Sequence, residues 1–284
     1  MGGGTWTATS ATNFVTTKYA SLGATTLDSL RSFDVRQVYD SFTLDAALNP
    51  KNVIRECVDS EEHPDTFPII LALDVTGSMG NAAKACASKL NEIMENLYSK
   101  VKDVEFLMMG IGDLAYDTYP IQATQFESDV RILDQATKIY FEGGGGGNAY
   151  ESYTAAWYFG LHNTKLDCWK RGKKGIIITM GDEGLNPYLP GNKLANTLGA
   201  VTQDVDTQQL YEDVQEKFDV YHIAITDSPS FAQYETRIKN SFGKLLNQHC
   251  LFGKSDDLPD LIGEIINAHL NDGVFVAPAE GIAW

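Results

Sequence analysis

The chain has 284 residues, of which 43% are hydrophobic, and its formal charge is −16 at pH 7. This length predicts one large domain or two small ones, with enough apolar residues for a packed core. Because an acidic surface repels phosphate, the composition argues against nucleic acid as a partner. The apolar runs are much shorter than the roughly 18 residues that a membrane helix needs, so no membrane span is expected.

The first part of the chain differs in composition from the rest. Residues 1–66 are rich in Thr, Ser, Ala and Asp, and Pro64 and Pro68 flank the change. We predict an N-terminal arm over 1–66 that packs on the domain or on a neighbouring molecule, a domain over 67–272 and a C-terminal tail over 273–284. The absence of a secretory signal pattern and of paired cysteine motifs predicts a cytoplasmic protein with reduced thiols.

The domain begins with a strand, a polar turn and a helix. Residues 69–73 form a continuous apolar run of strand length, and a turn rich in glycine and hydroxyl side chains follows it. From Ala83 to Tyr98 the apolar residues recur at spacings of three and four, which predicts an amphipathic helix of about five turns. This order is typical of one half of a βαβ unit.

The same pattern continues along the chain. Further apolar runs of strand length and helical stretches alternate. The last helix is predicted over 255–270, with Pro259 tolerated in its first turn. Alternation of this kind predicts an α/β fold in which a doubly wound, mostly parallel sheet is flanked by helices. The remaining predicted strands are 104–109, 176–180 and 220–225, and the remaining predicted helices are 150–161 and 207–218.

Oxygen-bearing side chains follow several of the predicted strands. Ligands of open parallel sheets bind beyond the carboxyl ends of the strands, so these residues are expected to converge. Carboxylates, hydroxyls and an amide without His or Cys favour Mg²⁺, Mn²⁺ or Ca²⁺ over zinc or copper. The residues concerned are Asp74, Thr76 and Ser78, then Asp113 and Asp117, then Asn148 and Glu151 after a glycine run, and finally Asp182 and Glu183.

The turn Asp74-x-Thr76-x-Ser78 after a buried strand resembles the metal-ion-dependent adhesion site of von Willebrand factor A (VWA) domains. The resemblance covers roughly residues 67–270 and implies a doubly wound, Rossmann-like fold that holds one Mg²⁺. In the family, a second loop supplies a Thr, a third loop supplies an Asp, and an acidic residue of the partner protein completes the coordination. By resemblance, Asp182 is the third-loop Asp, and residues 146–148 occupy the second loop.

The second loop departs from the family pattern. Asn148 stands where the family usually has Thr, and Glu151 follows three residues later. Either side chain could ligate the cation, and direct binding by Glu151 would shift the preference toward Ca²⁺. The motif is most similar to intracellular bacterial and protist VWA proteins, including those linked to alpha-kinases. The resemblance therefore implies a MoxR-type AAA+ ATPase or a kinase as the class of partner.

These residues also permit other interpretations. The Asp74 turn alone could be an ordinary helix cap, but the strand before it and Asp182 after a later strand favour a metal site. Turn formation and solvation are the expected roles of Asp113 and Asp117, and Glu183 is expected to lie behind the ligands. The glycine run lacks the Lys-Ser or Lys-Thr of a nucleotide loop, and the five histidines are too dispersed for a triad.

The predicted function is metal-dependent binding of a protein partner, without catalysis. A first alternative is a self-assembling scaffold protein, in which the arm or the tail docks on neighbouring subunits and the metal site is only conformational. A second is a phosphoaspartate enzyme of the haloacid dehalogenase class, with Asp74 as nucleophile. Against this enzyme, Thr76 stands where most such phosphatases carry an Asp, and no phosphate-binding Lys is evident.

Overall fold

The computed structural model describes residues 4–144, 148 and 150–271. The predicted C-terminal tail over 273–284 and most of the glycine run lie outside the described residues. The strands, in chain order, are β1 Arg55–Cys57, β2 Phe67–Asp74, β3 Val104–Ile111, β4 Ile121–Ala123, β5 Tyr150–Glu151, β6 Thr164–Leu166, β7 Gly175–Gly181, β8 Gly184–Leu185, β9 Tyr188–Leu189, β10 Val205–Asp206, β11 Phe218–Ile225 and β12 Cys250–Gly253.

Helices connect these strands and cover both faces of the sheet. They are α1 Ala8–Lys18, α2 Val35–Val38, α3 Gly80–Tyr98, α4 Arg131–Ala136, α5 Thr154–His162, α6 Gly191–Leu198, α7 Thr207–Val214, α8 Phe231–Asn240, α9 Phe242–Leu246 and α10 Leu258–Leu270. A short 3₁₀ turn over Ser255–Asp257 leads into α10, and Pro259 lies in the first turn of that helix, as predicted. Within the described residues, no helix has the length and apolar character needed to cross a membrane.

Six strands form the central sheet in the order β12-β11-β7-β2-β3-β4. All neighbours pair in parallel except β4, which runs antiparallel to β3 at one edge. In chain order, the sheet begins near its middle with β2 and extends to β3 and β4 on one side. It then continues with β7, β11 and β12 on the other side of β2. This arrangement confirms the predicted doubly wound α/β fold with a mostly parallel sheet flanked by helices.

The sheet separates two apolar cores. Ile69, Leu71 and Leu73 of β2 pack in the core that contains α3 and α10, whereas Ile70 and Ala72 pack in the core that contains α5 and α9. Alternate residues of a strand point to opposite faces, so a strand buried on both sides needs an uninterrupted apolar run. This requirement explains why β2, β3 and β7 were recognisable from the sequence.

Residues 4–66 contribute to the core on the α3 side. Trp6, Leu30 and Tyr39 are buried there, and the Trp6 indole donates a hydrogen bond of 2.9 Å to Oδ1 of Asn91 in α3. The Tyr39 hydroxyl donates to the carbonyl oxygen of Ala83, also at 2.9 Å. These contacts place the N-terminal segment against the domain that follows it.

Two predicted helices have different limits in the structure. The helix predicted over 150–161 begins at Thr154, because Tyr150–Glu151 pairs with β8 as β5. The helix predicted over 207–218 ends at Val214, and Phe218 is already the first residue of β11. Apolar spacing alone does not show where a buried helix gives way to a buried strand.

Candidate metal site

Asp74 ends β2 at the centre of the carboxyl edge of the sheet, and its side chain is fully buried. One carboxylate oxygen accepts hydrogen bonds from the backbone N–H of Thr76 at 2.8 Å and from its hydroxyl at 2.6 Å. The other accepts a hydrogen bond of 2.8 Å from the hydroxyl of Tyr153. The tight turn after β2 therefore fixes the orientation of the carboxylate.

Asp182 lies beside Asp74 because β7, which it follows, is hydrogen-bonded to β2. It is also fully buried, and neither of its carboxylate oxygens has a hydrogen bond of good geometry to any described residue. Burial raises the pKa of Asp182, and the nearby hydroxyls of Ser228 and Ser78 partly oppose this by favouring the charged form. Ser78, a half-buried residue of the first turn, therefore lies close to Asp182 of the third loop.

Glu151 and Asn148 have different surroundings. Glu151 is buried, and its Oε2 atom has no hydrogen-bond partner among the described residues. The Asn148 amide nitrogen donates to Asp113 at 2.5 Å, and its oxygen accepts from the Tyr150 N–H at 3.2 Å. Both polar atoms of Asn148 are therefore engaged, whereas Glu151 retains an unsatisfied oxygen.

The electrostatics of the site are dominated by buried like charges. Burial and the negative charge of Asp182 raise the pKa of Asp74 to about 8. Burial and the charge of Asp74 raise the pKa of Glu151 to about 12, and burial and the charge of Asp182 raise that of Glu183 to about 7. Burying carboxylates together costs free energy unless protons or a cation compensate their charge. Carboxylate and hydroxyl oxygens of this kind are the donor atoms that hard divalent cations prefer.

Asp113 and Asp117 form a turn, as the sequence predicted, but Asp113 is buried instead of solvated. Asp113 Oδ1 accepts a hydrogen bond from the Ala115 N–H at 2.7 Å, and Asp117 accepts one from the Asp113 N–H, also at 2.7 Å. Both side chains therefore accept hydrogen bonds from backbone N–H groups of the same turn.

Two glycines allow the loops to approach. The N–H of Gly77 donates to the carbonyl oxygen of Gly144 at 2.7 Å, so the first turn packs directly on the start of the glycine run. A Cβ atom at Gly181 would overlap the ring and hydroxyl of Tyr153. Glycine at these positions thus permits the first turn, the second loop and the end of β7 to meet.

Tyr153 is, like Ser228, a site residue that sequence reasoning missed. It is completely buried, and burial together with the charge of Asp74 raises its pKa well above the ordinary value. An aromatic residue at the start of an apolar helix is typical of a core position, so the sequence carried no signal for its contact with Asp74.

The predicted ligands thus fall into three groups. Asp74, Thr76, Glu151 and Asp182 are buried at one edge of the sheet, Ser78 is half-buried beside them, and Asn148 is bonded to Asp113. Among the residues that the structure describes, no three His, Cys, Asp or Glu side chains form a group that could hold a metal ion on their own. Any cation here would depend on hydroxyl ligands as well as carboxylates.

No protein-family model and no curated protein matches the sequence. Similar solved structures include two crystal structures of the pilus adhesin SpaC from Lactobacillus rhamnosus GG, the first at a TM-score of 0.47 and 14% identity over 78% of this chain. The chain spans about a third of SpaC, 31% and 32% of the two structures. The vWF domain of the type V pili tip protein Mfa5 from Porphyromonas gingivalis is similar at a TM-score of 0.46 and 12% identity, over 76% of this chain and 98% of that domain.

Proposed function

We propose that this protein is a non-catalytic, metal-dependent protein-binding module of the VWA type. One divalent cation, Mg²⁺ or alternatively Mn²⁺ or Ca²⁺, is bound at the carboxyl edge of the sheet and supplies a Lewis-acidic position for a carboxylate of the partner. The residues proposed to hold it are Asp74, Thr76, Ser78 and Asp182, together with Asn148 or Glu151.

The observation that carries this proposal is the environment of Asp182. Asp182 is a fully buried carboxylate whose only polar neighbours of note among the described residues are the Ser78 and Ser228 hydroxyls, neither in good hydrogen-bond geometry, and it lies next to a second buried carboxylate. Such an arrangement is destabilising by itself. Proteins retain such an arrangement where a ligand compensates it, and hard oxygen donors match Mg²⁺. Asp74 is already oriented by Thr76 and Tyr153, so the site is organised before a cation arrives.

The charge of the site suits an acidic ligand only if Glu151 is neutral. With a divalent cation bound, two ionised aspartates balance its charge, and a third carboxylate would repel the partner's acidic residue. Burial and the charge of Asp74 raise the pKa of Glu151 well above its usual range, which supports Glu151 as the carboxyl that keeps its proton. A ligand role would require Glu151 to ionise, whereas a supporting role would leave it neutral.

The proposal includes a cytoplasmic location and a partner of the MoxR-type AAA+ ATPase or kinase class, as the sequence resemblance implies. Support for a reducing compartment comes from the four cysteines, which are free and buried. The absence of catalysis is supported by the bonding of Asp74. Both of its oxygens accept hydrogen bonds, which reduces their nucleophilicity toward phosphorus.

The test is calorimetric titration of Mg²⁺, Mn²⁺ and Ca²⁺ into chelator-stripped protein. Wild type is expected to bind one cation, and Asp74→Asn and Asp182→Asn are expected to lose the binding. Without metal, Asp182→Asn should raise the free energy of unfolding by about 1 kcal/mol or more, because it removes a buried charge. Asp28→Asn, an exposed position, serves as the control.

The outcomes separate the candidate functions. Absence of cation binding in wild type would contradict the metal site and favour the scaffold function, which sedimentation of arm and tail truncations then tests. Retention of binding in Glu151→Gln would assign Glu151 a supporting role, and loss would make it a ligand.

With Mn²⁺ bound, the relaxation of water protons should report an exchangeable water on the metal, and acetate should displace that water. Phosphate release from an acyl or aryl phosphate, lost in Asp74→Asn, would favour the phosphoaspartate enzyme.

A further inference from the structure

Two exposed aromatic side chains lie at the edge of the sheet that carries the candidate metal site. Asp74, Ile111 and Ile121 are in register across β2, β3 and β4, so β4 begins roughly 10 Å from Asp74 at the same edge. The loop between β3 and β4 carries Tyr116, which is 61% exposed. This loop is therefore a direct neighbour of the metal site.

The second aromatic side chain, Phe42, comes from the N-terminal segment. The hydroxyls of Thr43 and Tyr119 are hydrogen-bonded at 2.9 Å, and Ser41 forms a backbone bridge with Tyr140. These contacts hold Phe42 at the start of β4, where it is 84% exposed. Among the described residues, Phe42 and Tyr116 are the two most exposed large hydrophobic side chains. Exposed apolar groups that share one edge with a ligand site indicate a surface that a partner covers.

Arg36 adds a positive charge to the same edge. Its guanidinium group packs on Gly143, where a Cβ atom would lie 2.8 Å from Nη2. The next residue, Gly144, accepts the hydrogen bond of 2.7 Å from Gly77 in the first turn of the metal site. Arg36 is exposed, and no ion pair joins it to a carboxylate of residues 4–144, 148 or 150–271. We call the metal site together with Arg36, Phe42 and Tyr116 the metal face.

The carboxylates on this side of the metal site are already engaged by N–H groups. Asp113 accepts the amide N–H of Asn148 at 2.5 Å, and Asp117 accepts the backbone N–H of Asp113 at 2.7 Å. Glu142 accepts the backbone N–H of Tyr119 at 2.5 Å. With a divalent cation bound, the metal face therefore offers two positive groups to a ligand, the cation and the Arg36 guanidinium.

The end of α10 lies at the opposite edge of the sheet. Nδ1 of His269, in the last turn of α10, is 2.7 Å from Asp219, near the start of β11. Its ring packs 5.2 Å from that of Phe67, the first residue of β2. Since β2 has eight residues, its two ends are about 23 Å apart. The chain after α10 thus starts one strand length away from Asp74.

The sequence of residues 272–284 is complementary to the metal face. This segment has no Lys or Arg, and it contains the carboxylates Asp272 and Glu280 and apolar residues that include Phe275 and Trp284. The nine residues that lead from the end of α10 to Glu280 span about 30 Å at most. A path over the helices that cover the sheet is longer than the sheet itself. Glu280 is therefore better placed to reach the metal face of another molecule than that of its own.

We propose that residues 272–284 of one molecule bind the metal face of a second copy of this chain. The Glu280 carboxylate completes the coordination of the cation beside Arg36, and apolar side chains of the segment pack on Phe42 and Tyr116. This inference rests on the metal site proposed above, and it makes the second copy a competitor of any other acidic partner. Because the two surfaces lie at opposite ends of one molecule, the contact is heterologous and extends into rings or filaments.

The experiment is sedimentation velocity of full-length protein with Mg²⁺ and with EDTA. Wild type is expected to self-associate with Mg²⁺, with a dissociation constant below about 100 μM, and to be monomeric with EDTA. Asp182→Asn removes the metal face and Glu280→Gln removes the ligand, so neither variant should self-associate alone. Their mixture should form a 1:1 complex, because each supplies the surface that the other lacks. Asp272→Asn, which removes the same charge elsewhere in the segment, is the matched control and should self-associate like wild type.

A second measurement tests the residues of the metal face. A fluorescein-labelled peptide of residues 272–284 should bind Glu280→Gln protein with Mg²⁺ and not with EDTA. Adding Arg36→Gln or Phe42→Ala to this protein should each weaken the peptide about fivefold or more, equivalent to about 1 kcal/mol. Lys51→Gln, which removes another exposed cation of the N-terminal segment, should leave the affinity unchanged. Circular dichroism confirms that each variant is folded.

Calorimetric titration of Mg²⁺ into the same proteins separates this inference from the proposed function. A wild type that binds Mg²⁺ but neither self-associates nor binds the peptide would overturn the inference and leave the metal site intact. A wild type that binds no cation would contradict both. Self-association that persists with EDTA would exclude Glu280 as a metal ligand. A monomeric wild type that binds Mg²⁺ more tightly than Glu280→Gln would place Glu280 on the metal of its own molecule and overturn the contact between copies.

Discussion

The protonation of one buried carboxyl, that of Glu105, is expected to make the free energy of unfolding depend on pH. It lies on β3 and is 3% exposed. Burial raises its pKa from the ordinary 4.5 to about 7, with Cys57 and His63 opposing the shift and the charge of Glu127 adding to it. Between these two pH values the folded state binds a proton that the unfolded state does not. Stability contributed by the neutral carboxyl is therefore present below pH 4.5 and is lost as the pH rises toward 7.

We predict that Glu105→Gln removes this dependence. In wild type the Glu105 contribution falls by roughly 3 kcal/mol between pH 4.5 and 7, and the variant lacks that slope. Urea unfolding at several pH values measures the difference between the two curves. Exposed Glu62→Gln should retain the wild-type slope. Parallel curves for wild type and Glu105→Gln would show that the carboxyl is solvated.

At the scale of elements, the contact between β7 and α5 determines the geometry around Asp74. Tyr153 immediately precedes α5, and its hydroxyl passes the last residue of β7, Gly181, to reach the carboxylate. Its ring packs edge-on against Phe242 and His222, with centroid distances of 5.5 and 5.3 Å. The Tyr153 hydroxyl can therefore reach Asp74 only because Gly181 of β7 has no side chain.

We predict that Gly181→Ala destabilises the protein by about 1–3 kcal/mol, because the added methyl group overlaps the Tyr153 ring in a closed core. It should also weaken the proposed cation binding by displacing the Tyr153 hydroxyl from Asp74. Gly243→Ala in α9 is the matched control, since the nearest atom to its new Cβ is 3.9 Å away. Denaturant unfolding and calorimetry provide the two readouts. Equal stability of the two variants would refute the close contact.

At the scale of the whole molecule, residues 4–66 contribute to both cores, because Cys57 packs in the core that contains α5. Leu30 and Val38 are fully buried in the core beside α3, whereas Phe42 of the same segment is 84% exposed. A core shared in this way predicts that the segment and the sheet unfold in one cooperative transition.

Leu30→Ala is therefore expected to lower the global free energy of unfolding by about 2–5 kcal/mol, as in other closed cores. Phe42→Ala should change it by no more than about 0.5 kcal/mol. Chemical denaturation followed by tryptophan fluorescence and by hydrogen exchange measures both. A small effect of Leu30→Ala, with early exchange confined to residues 4–66, would instead indicate an independently docked arm.

The central strands were predictable because each is buried on both faces and so carries an uninterrupted apolar run. The edge strands β4 and β12 were missed, since Ile121–Ala123 and Cys250–Gly253 are short and their pairing depends on neighbours distant in the chain. Asp74 and Asp182 were identifiable as candidates because each follows a recognisable strand at the edge where parallel strands end. That Asp74 and Asp182 are neighbours, however, follows from the strand order, in which β7 pairs with β2.

The sequence by itself determined the α/β class, the central strands and the position of the acidic turn, which resembles one known motif. Only the tertiary structure decided that Glu151 lacks a partner for Oε2 while Asn148 is bonded to Asp113, and that Tyr153 holds Asp74. Periodicity records which face of an element is buried, whereas a site depends on contacts between residues far apart in the chain, which no local pattern encodes.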